Sequence, residues 1–479
     1  MKLLVSLAAT LMLAQPPLAS AQALPNLGDS AQTVLSSQQE RQLGESIMRQ
    51  IRGSKQYFDD PEVTDYVNAL GYRLVAQSPN TEQAFEFFVV DDPTINAFAL
   101  PGGFIGVHTG LIVTAQSESE FAGVIAHEIA HVTQHHIARL FQQQKQAGIA
   151  SLAAIAIALL AARSSPDLAS AAMAGAQYAT IQTGLNFTRD NEREADRVGV
   201  QILQRAGFDS TAMAAFLDRM QRAYRAYETN APSYVRTHPL TYERIADVQN
   251  RVADLPYKQV PDSMDFLLVR ARLQVLGGSP RDAIERFDDI LKEKKTVHEV
   301  AAQYGLVFAL LEAKDLARAK REAAVLQREA PDNALVLSLV AKVNWLAGER
   351  DTAMRMYADA IDRFPRRRAL AFDYSRALLE AKRPKEALAA LDRAQQLLQP
   401  DYRLLQLKAQ TYSALGQRLQ QHRAQAEAYV LLGSVPAAIE QLQIGLRSGD
   451  GDYYQLSSAE ARLRELRVID AQTRKRSQQ

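Results

Sequence analysis

Residues 127–131 read His-Glu-Ile-Ala-His. Side chains four apart on a helix share a face, one turn above the other. Two imidazoles placed that way can grip one zinc ion, and Glu128 between them can serve as base toward an attacking water. The chemistry this predicts is metal-assisted hydrolysis of the kind a metalloprotease performs, with a single zinc per chain. A structural histidine pair on a surface helix would sit on a polar face. This pair sits inside an apolar run.

A catalytic zinc normally takes three protein ligands and keeps one position open. The chain has no cysteine, so the third ligand must be His, Asp or Glu. His135 continues the same face, but it lies roughly 12 Å of helix rise from His127. Three ligands on one straight helix cannot converge on one ion. A third-histidine site would also need a glycine turn after His131, and none follows. His135 and His136 therefore read as surface or packing residues. A carboxylate is the better third ligand. Residues 191–197 read Asn-Glu-Arg-Glu-Ala-Asp-Arg, an acidic helix on which Glu192 and Asp196 share a face and Glu194 points elsewhere. Glu192 can bind zinc while Asp196 holds the far nitrogen of a ligand histidine and fixes its tautomer.

The elements that must position these groups are marked. Ser117 and Glu120 predict a capping box. Phe121, Val124, Ile125, Ile129 and Val132 then form an apolar helical stripe. Residues 85–90 read as a strand, and 96–100 and 104–107 as two short strands around Pro101-Gly102-Gly103. Residues 255–264 carry two prolines and no helical period, and read as a linker. Beyond it the pattern is helical and repeats. Ala319, Ala353 and Ala387 are 34 residues apart, and Ala283 marks an earlier unit. Pro331, Pro365 and Pro400 close successive units at nearly the same spacing. A helix-turn-helix period of that length resembles the tetratricopeptide repeat, whose units stack into a superhelix with a concave groove. Gly348 and Gly416 sit at turn positions, but other units lack the glycine. One more pair is expected over 426–446, and the polar tail after Asp470 is expected to fray. Residues 147–162 are almost pure Ala, Ile and Leu. They are too few for an untilted membrane span, and read as buried helix, with a flap over the site or a membrane- or client-touching segment as the alternative.

The chain has 479 residues, enough for several domains. Lys+Arg 55 against Asp+Glu 54 leaves a net charge of +1. That balance lacks the basic bias of a nucleic-acid binder and gives no strong pull toward anionic lipid. Without cysteine, disulfides, thiolate metal sites and cysteine nucleophiles are excluded. The N-terminus has Lys2, an apolar core from Leu3 to Ala14 and Ala19-Ser20-Ala21, the pattern of a cleavable signal peptide. The predicted layout is signal peptide 1–21, metalloprotease domain 22–254, linker 255–264, repeat domain 265–470 and polar tail 471–479. The expected fold is α-rich with a minor α+β part: a helical metalloprotease domain holding a small sheet, then an all-α repeat superhelix.

The His-Glu-x-x-His set followed by Glu192-x-x-x-Asp196 resembles the gluzincin metallopeptidases related to HtpX and the CAAX prenyl protease. Asn-Ala-Phe-Ala-Leu-Pro-Gly-Gly at 96–103 looks like that family's stretch before the zinc helix, and Thr237-His238-Pro239 with Arg244 looks like its later His-Pro motif. The order of signal peptide, protease and repeats is similar to that of periplasmic proteases of outer-membrane β-barrel assembly. The resemblance spans nearly the whole mature chain, specific in the first half and looser in the repeats. It implies His127, His131 and Glu192 as zinc ligands, Glu128 as base, and Asp196 and Arg244 behind them. It implies that His238 stands beside the metal, either stabilising the oxyanion or filling the open position and holding the enzyme inactive; the sequence leaves both open. It also implies a periplasmic site of action, unfolded or misassembled barrel proteins as clients, and partnership with the barrel-assembly machinery through the repeats; docking at the outer membrane through a partner stays open. Substrate is expected to lie extended along residues 96–104 as an added strand, against Asn96, Ala97, Phe98, Gly102 and Gly103. Backbone pairing of that kind reads little sequence. Two other classes remain: a repeat-based chaperone or adaptor with latent proteolysis, and a processing peptidase of narrow specificity.

Overall fold

The computed structural model describes residues 36–79, 83–143, 188–226, 233–255, 258–293 and 298–477. The expected signal peptide and the apolar run 147–162 lie outside these residues. Helices and strands below are numbered among the described residues.

Helix α1 (Ser37–Arg52) starts at a full capping box between Ser36 and Gln39. Helix α2 (Pro61–Val75) starts with Asp60 as N-cap and proline in its first turn. Three strands follow: β1 (Glu86–Val90), β2 (Ala97–Leu100) and β3 (Phe104–His108), in the order β1-β3-β2. β1 runs parallel to β3 with Glu86 opposite Phe104, and β2 runs antiparallel with Ala97 opposite Val107. The strand starts and ends match the sequence reading within a residue. Leu43, Ile47, Met48 and Ile51 of α1 cover one face of the sheet, against Phe88, Val90, Leu100 and Phe104. Val67, Leu70 and Leu74 of α2 pack on the other face with Phe87 and Ile105.

After α3 (Thr109–Thr114) comes α4 (Glu118–Thr133), which carries the histidine pair and is buried along its whole length. Only half of the expected capping box forms. Ser117 accepts from the Glu120 N–H, but the Glu120 carboxylate reaches past it to the Gln116 N–H and to Arg219. A buried helix start needs its charge compensated, and Arg219 does this where the Ser117 N–H cannot. Around α4 lie α5 (His136–Gln143), α6 (Arg189–Arg205), α7 (Thr211–Ala226), α8 (Ser233–Thr237) and α9 (Tyr242–Ala253). Gly199 lets α6 sit tightly on α4: a Cβ there would stand 3.2 Å from the His127 N.

The remaining helices are α10 (Met264–Leu276), α11 (Pro280–Glu293), α12 (Glu299–Glu312), α13 (Leu316–Glu329), α14 (Ala334–Leu346) and α15 (Arg350–Arg363). They continue as α16 (Arg368–Glu380), α17 (Pro384–Leu397), α18 (Tyr402–Ala414), α19 (Arg418–Leu431), α20 (Val435–Leu446) and α21 (Tyr453–Ser477). Ala283, Ala319, Ala353 and Ala387 are all buried at matching places in α11, α13, α15 and α17. The turns are regular as well. Lys314, Gly348, Lys382 and Gly416 follow one another at intervals of 34 residues, and all four take a left-handed φ. The turn is constant although its residue is not, which is why a search for glycine sees only half of it.

Residues 258–263 form no helix, yet they are tied down. The Glu118 carboxylate accepts from the Ser263 N–H and hydroxyl, and Asp262 accepts from the Glu118 N–H. The repeats also close on the peptidase part. Asp60 takes two bonds from Arg272 of α10, Asp65 accepts from the Arg368 N–H of α16, and Asp59 pairs with Tyr402 and Arg403 of α18. Asp59, Asp60 and Asp65 thus hold the peptidase part against three helices of the repeats.

Candidate active site

His127, Glu128 and His131 lie on one side of α4, none of them exposed to solvent. Their apolar flanks, Phe121, Ile125 and Ile129, lock the helix into the core, so the pair is held rigid. Helix α6 crosses α4 and brings Glu192 and Asp196 to the same place. The Nε2 atoms of His127 and His131 face each other at 2.9 Å. Glu192 Oε2 lies 3.5 Å from His127 Nε2, and its Oε1 lies 3.4 Å from His131 Nε2. His238, just after α8, completes the group, with Nδ1 at 3.1 Å from Glu192 Oε1 and 3.4 Å from His127 Nε2.

One donor atom from each of His127, His131, Glu192 and His238 falls within 4.8 Å of all the others. Three imidazole nitrogens and a carboxylate brought together in a dry site form a group that can hold a cation between them. Nitrogen and carboxylate donors in this number are the set that first-row divalent metals take. Both oxygens of Glu128 are buried without a hydrogen bond, and His238 Nε2 stands 3.4 Å from one of them. Burial raises the Glu128 carboxyl above its ordinary value, the direction a proton-shuttling base requires.

The supporting contacts are as ordered. Asp196 Oδ1 lies 3.0 Å from His127 Nδ1. Arg244 grips both Asp196 oxygens at 2.8 and 2.9 Å, and its other arm reaches Glu192 Oε2 at 2.6 Å and the Pro239 carbonyl at 2.8 Å. Although burial opposes it, His238 and Arg244 hold Glu192 well below the usual carboxylate range, and Arg244 and His127 lower Asp196 against the same opposition. Burial alone would lower His127, but Asp196 and Glu192 raise it to about 10. Burial leaves His131 well below its ordinary value.

Of the residues expected to meet substrate, the structure separates two groups. The His108 N–H bonds the Asn96 carbonyl, so in an antiparallel ladder Ala97 and Ala99 turn their backbone groups away from β3. Of those groups, the Ala99 N–H lies near the Glu128 carboxylate and favours its charged form. Phe98 is half-buried and packs against Phe88 and His108. Gly102 and Gly103 take left-handed φ values in the turn from β2 to β3. They are buried there under α1, where the Gly102 carbonyl accepts from Arg41.

Sequence reasoning missed three groups. Tyr234 stacks on His238 with ring centroids 4.6 Å apart, and its N–H bonds the Ile95 carbonyl, tying α8 to the lead-in of β2. His136, read as a surface or packing residue, is the latter, fully buried, and the contact that was missed puts its Nδ1 at 2.9 Å from His131 Nδ1. Glu194, which does point away from the cluster, meets His136 Nε2 at 3.2 Å and Arg139 at 2.8 Å.

Residues 61–252 match the profile of peptidase family M48, and residues 275–343 match a tetratricopeptide repeat profile. The chain is 35% identical over 453 residues to the beta-barrel assembly-enhancing protease of Escherichia coli (strain K12), which covers 94% of this chain and 92% of that protein. The chain belongs to peptidase family M48. It is a metallopeptidase with a repeat domain, and the cluster on α4 and α6 lies inside the matched region. The corresponding protease of Yersinia pestis is 32% identical, again over 94% of this chain and 93% of that protein. The mitochondrial metalloendopeptidase OMA1 of Schizosaccharomyces pombe is 30% identical over 198 residues, 41% of this chain and 55% of that protein. This M48 chain has no helix among its described residues that is long and apolar enough to cross a membrane.

Proposed function

We propose that this M48 peptidase is a periplasmic zinc endopeptidase that removes unfolded or misassembled outer-membrane β-barrel proteins. The observation that carries the reading is the convergence of His127, His131, Glu192 and His238 beside the orphaned Glu128 carboxylate. His127, His131 and Glu192 would hold the zinc, and bound zinc would supply Lewis-acid polarisation of the scissile carbonyl and of the attacking water. Glu128 takes the proton from that water and passes it to the leaving amine. Asp196 keeps the proton of His127 on Nδ1, and Arg244 holds Asp196 and Glu192 in register. Substrate pairs as an extended strand with the outward groups of Ala97 and Ala99. That mode suits a strand that has failed to find its neighbours in a barrel, and the names of the E. coli and Y. pestis relatives point to the same clients.

His238 supports a second, latent reading. Its Nδ1 lies among the donor atoms, where it can fill the fourth position. In this conformation His238 then closes the site, and the repeats carry the protein's work as a chaperone until it withdraws. The test is cleavage of an unfolded barrel protein and of its folded form by wild type, a chelator-treated sample and His238→Ala. The proposal expects cleavage of the unfolded form alone, lost on chelation. Faster cleavage by His238→Ala assigns it the closing role, and slower cleavage assigns it the oxyanion. Chelator-resistant cleavage would overturn the reading.

A further inference from the structure

We propose that His136 is a positioning residue of the metal site, which accepts the Nδ1–H of His131 and is itself oriented by Glu194 and Arg139. This rests on the reading that His131 is a ligand through Nε2, the nitrogen that faces His127 and Glu192. An imidazole that offers a lone pair at Nε2 carries its proton at Nδ1. That proton needs an acceptor, because an unmet N–H in a dry site is costly. The partner at 2.9 Å is His136 Nδ1, which must therefore present a lone pair. Its proton is then on Nε2, and Nε2 faces Glu194 Oε2 at 3.2 Å. A carboxylate can only accept, so Glu194 sets the order of protons along the whole chain. Arg139 at 2.8 Å fixes the Glu194 carboxylate in turn.

The backbone explains how a residue five places past His131 reaches its far side. Helix α4 ends at Thr133, and His135 takes a left-handed φ of 53°. That residue turns the chain so that His136 opens α5 folded back against His131. A non-glycine residue seldom adopts this conformation, and here it places a wholly buried ring. The two α4 histidines are thus held by different devices. His127 leans directly on Asp196, while His131 leans on a carboxylate through an intervening imidazole.

The test is zinc affinity of the full mature chain, by competition with a chromophoric chelator, for wild type, His136→Phe, His136→Asn, Glu194→Ala and His131→Ala. Phenylalanine keeps the ring volume and removes the acceptor; loss of such a partner costs about 10–100-fold in metal affinity. Asparagine restores an acceptor near the Nδ1 position, and its affinity is expected to return toward wild type. Thermal unfolding of the metal-free proteins reports whether the phenylalanine variant is folded. Should it unfold, Glu194→Ala decides, since Glu194 is one-third exposed and its removal frees the His136 ring; weaker binding is expected there as well. Wild-type affinity in folded His136→Phe, or in Glu194→Ala should the first unfold, overturns the proposal. So does an asparagine variant as weak as the phenylalanine one. Unchanged affinity in His131→Ala would instead overturn the ligand assignment on which the proposal rests.

Discussion

Arg244 meets two buried carboxylates at once, Glu192 of the cluster and Asp196 behind it. Removing one partner of a buried, hydrogen-bonded ion set leaves uncompensated charge and costs about 3–5 kcal/mol. Arg244→Met should therefore lower the unfolding free energy by that order and weaken zinc binding together, because Glu192 and Asp196 lose their common anchor. Urea unfolding at fixed pH with and without zinc checks it; a stable protein with weak zinc would place Arg244 in the site alone. At this scale the sequence was legible where spacing alone decides. His127, Glu128 and His131 follow from a helical period; Glu192 and Asp196 share a face by a second one, but that acidic helix alone reads as a solvated surface, and the family resemblance was needed to single out Glu192. His136 was not legible, since its place depends on the left-handed residue before it, which no periodicity reveals.

Helices α4 and α6 form the frame, and Gly199 sets their separation. A side chain there would press on the His127 backbone, which has no rotamer to give way. Gly199→Val should push α6 outward, destabilise the fold by about 1–3 kcal/mol as overpacking does, and carry Glu192 and Asp196 away from the histidines. The expected outcome is a zinc affinity reduced about tenfold or more, measured with the same chelator competition; wild-type affinity would mean the helices do not fix the donor spacing. The strands could be read from their short apolar runs around Pro101-Gly102-Gly103, and the helix of the histidine pair from the apolar stripe of α4. The repeat turns were read only where glycine stands, because Lys314 and Lys382 adopt the same backbone without announcing it.

Across the whole molecule, repeats and peptidase part share one core that runs from Val63 to Val343. Periodicity gave the order of the two parts, but long-range docking leaves no local pattern, so this closure was invisible in the sequence. Glu62 of α2 sits in the seam. Burial pushes its carboxyl up to about 7, against the pull of Arg272 and of a Ser338 hydrogen bond. A folded pKa above the ordinary carboxyl value of 4.5 means that the folded state holds the proton more tightly, so stability falls as pH rises from about 4.5 to 7. Glu62→Gln keeps a group that can bond Ser338 and removes the titration. It should stabilise the protein by about 3 kcal/mol at pH 7.5 and little at pH 4.5. Denaturation at the two pH values checks the sign; an equal gain at both would remove Glu62 from the account.

The central claim is that one buried cluster on α4 and α6 holds the metal and that Glu128 does the proton work beside it. The most direct measurement is zinc content and peptide cleavage on the same samples of wild type and Glu128→Gln. The account predicts equal zinc in both and a cleavage rate lower by about 10²–10⁴ in the variant. Cleavage by a zinc-loaded Glu128→Gln at the wild-type rate would contradict it.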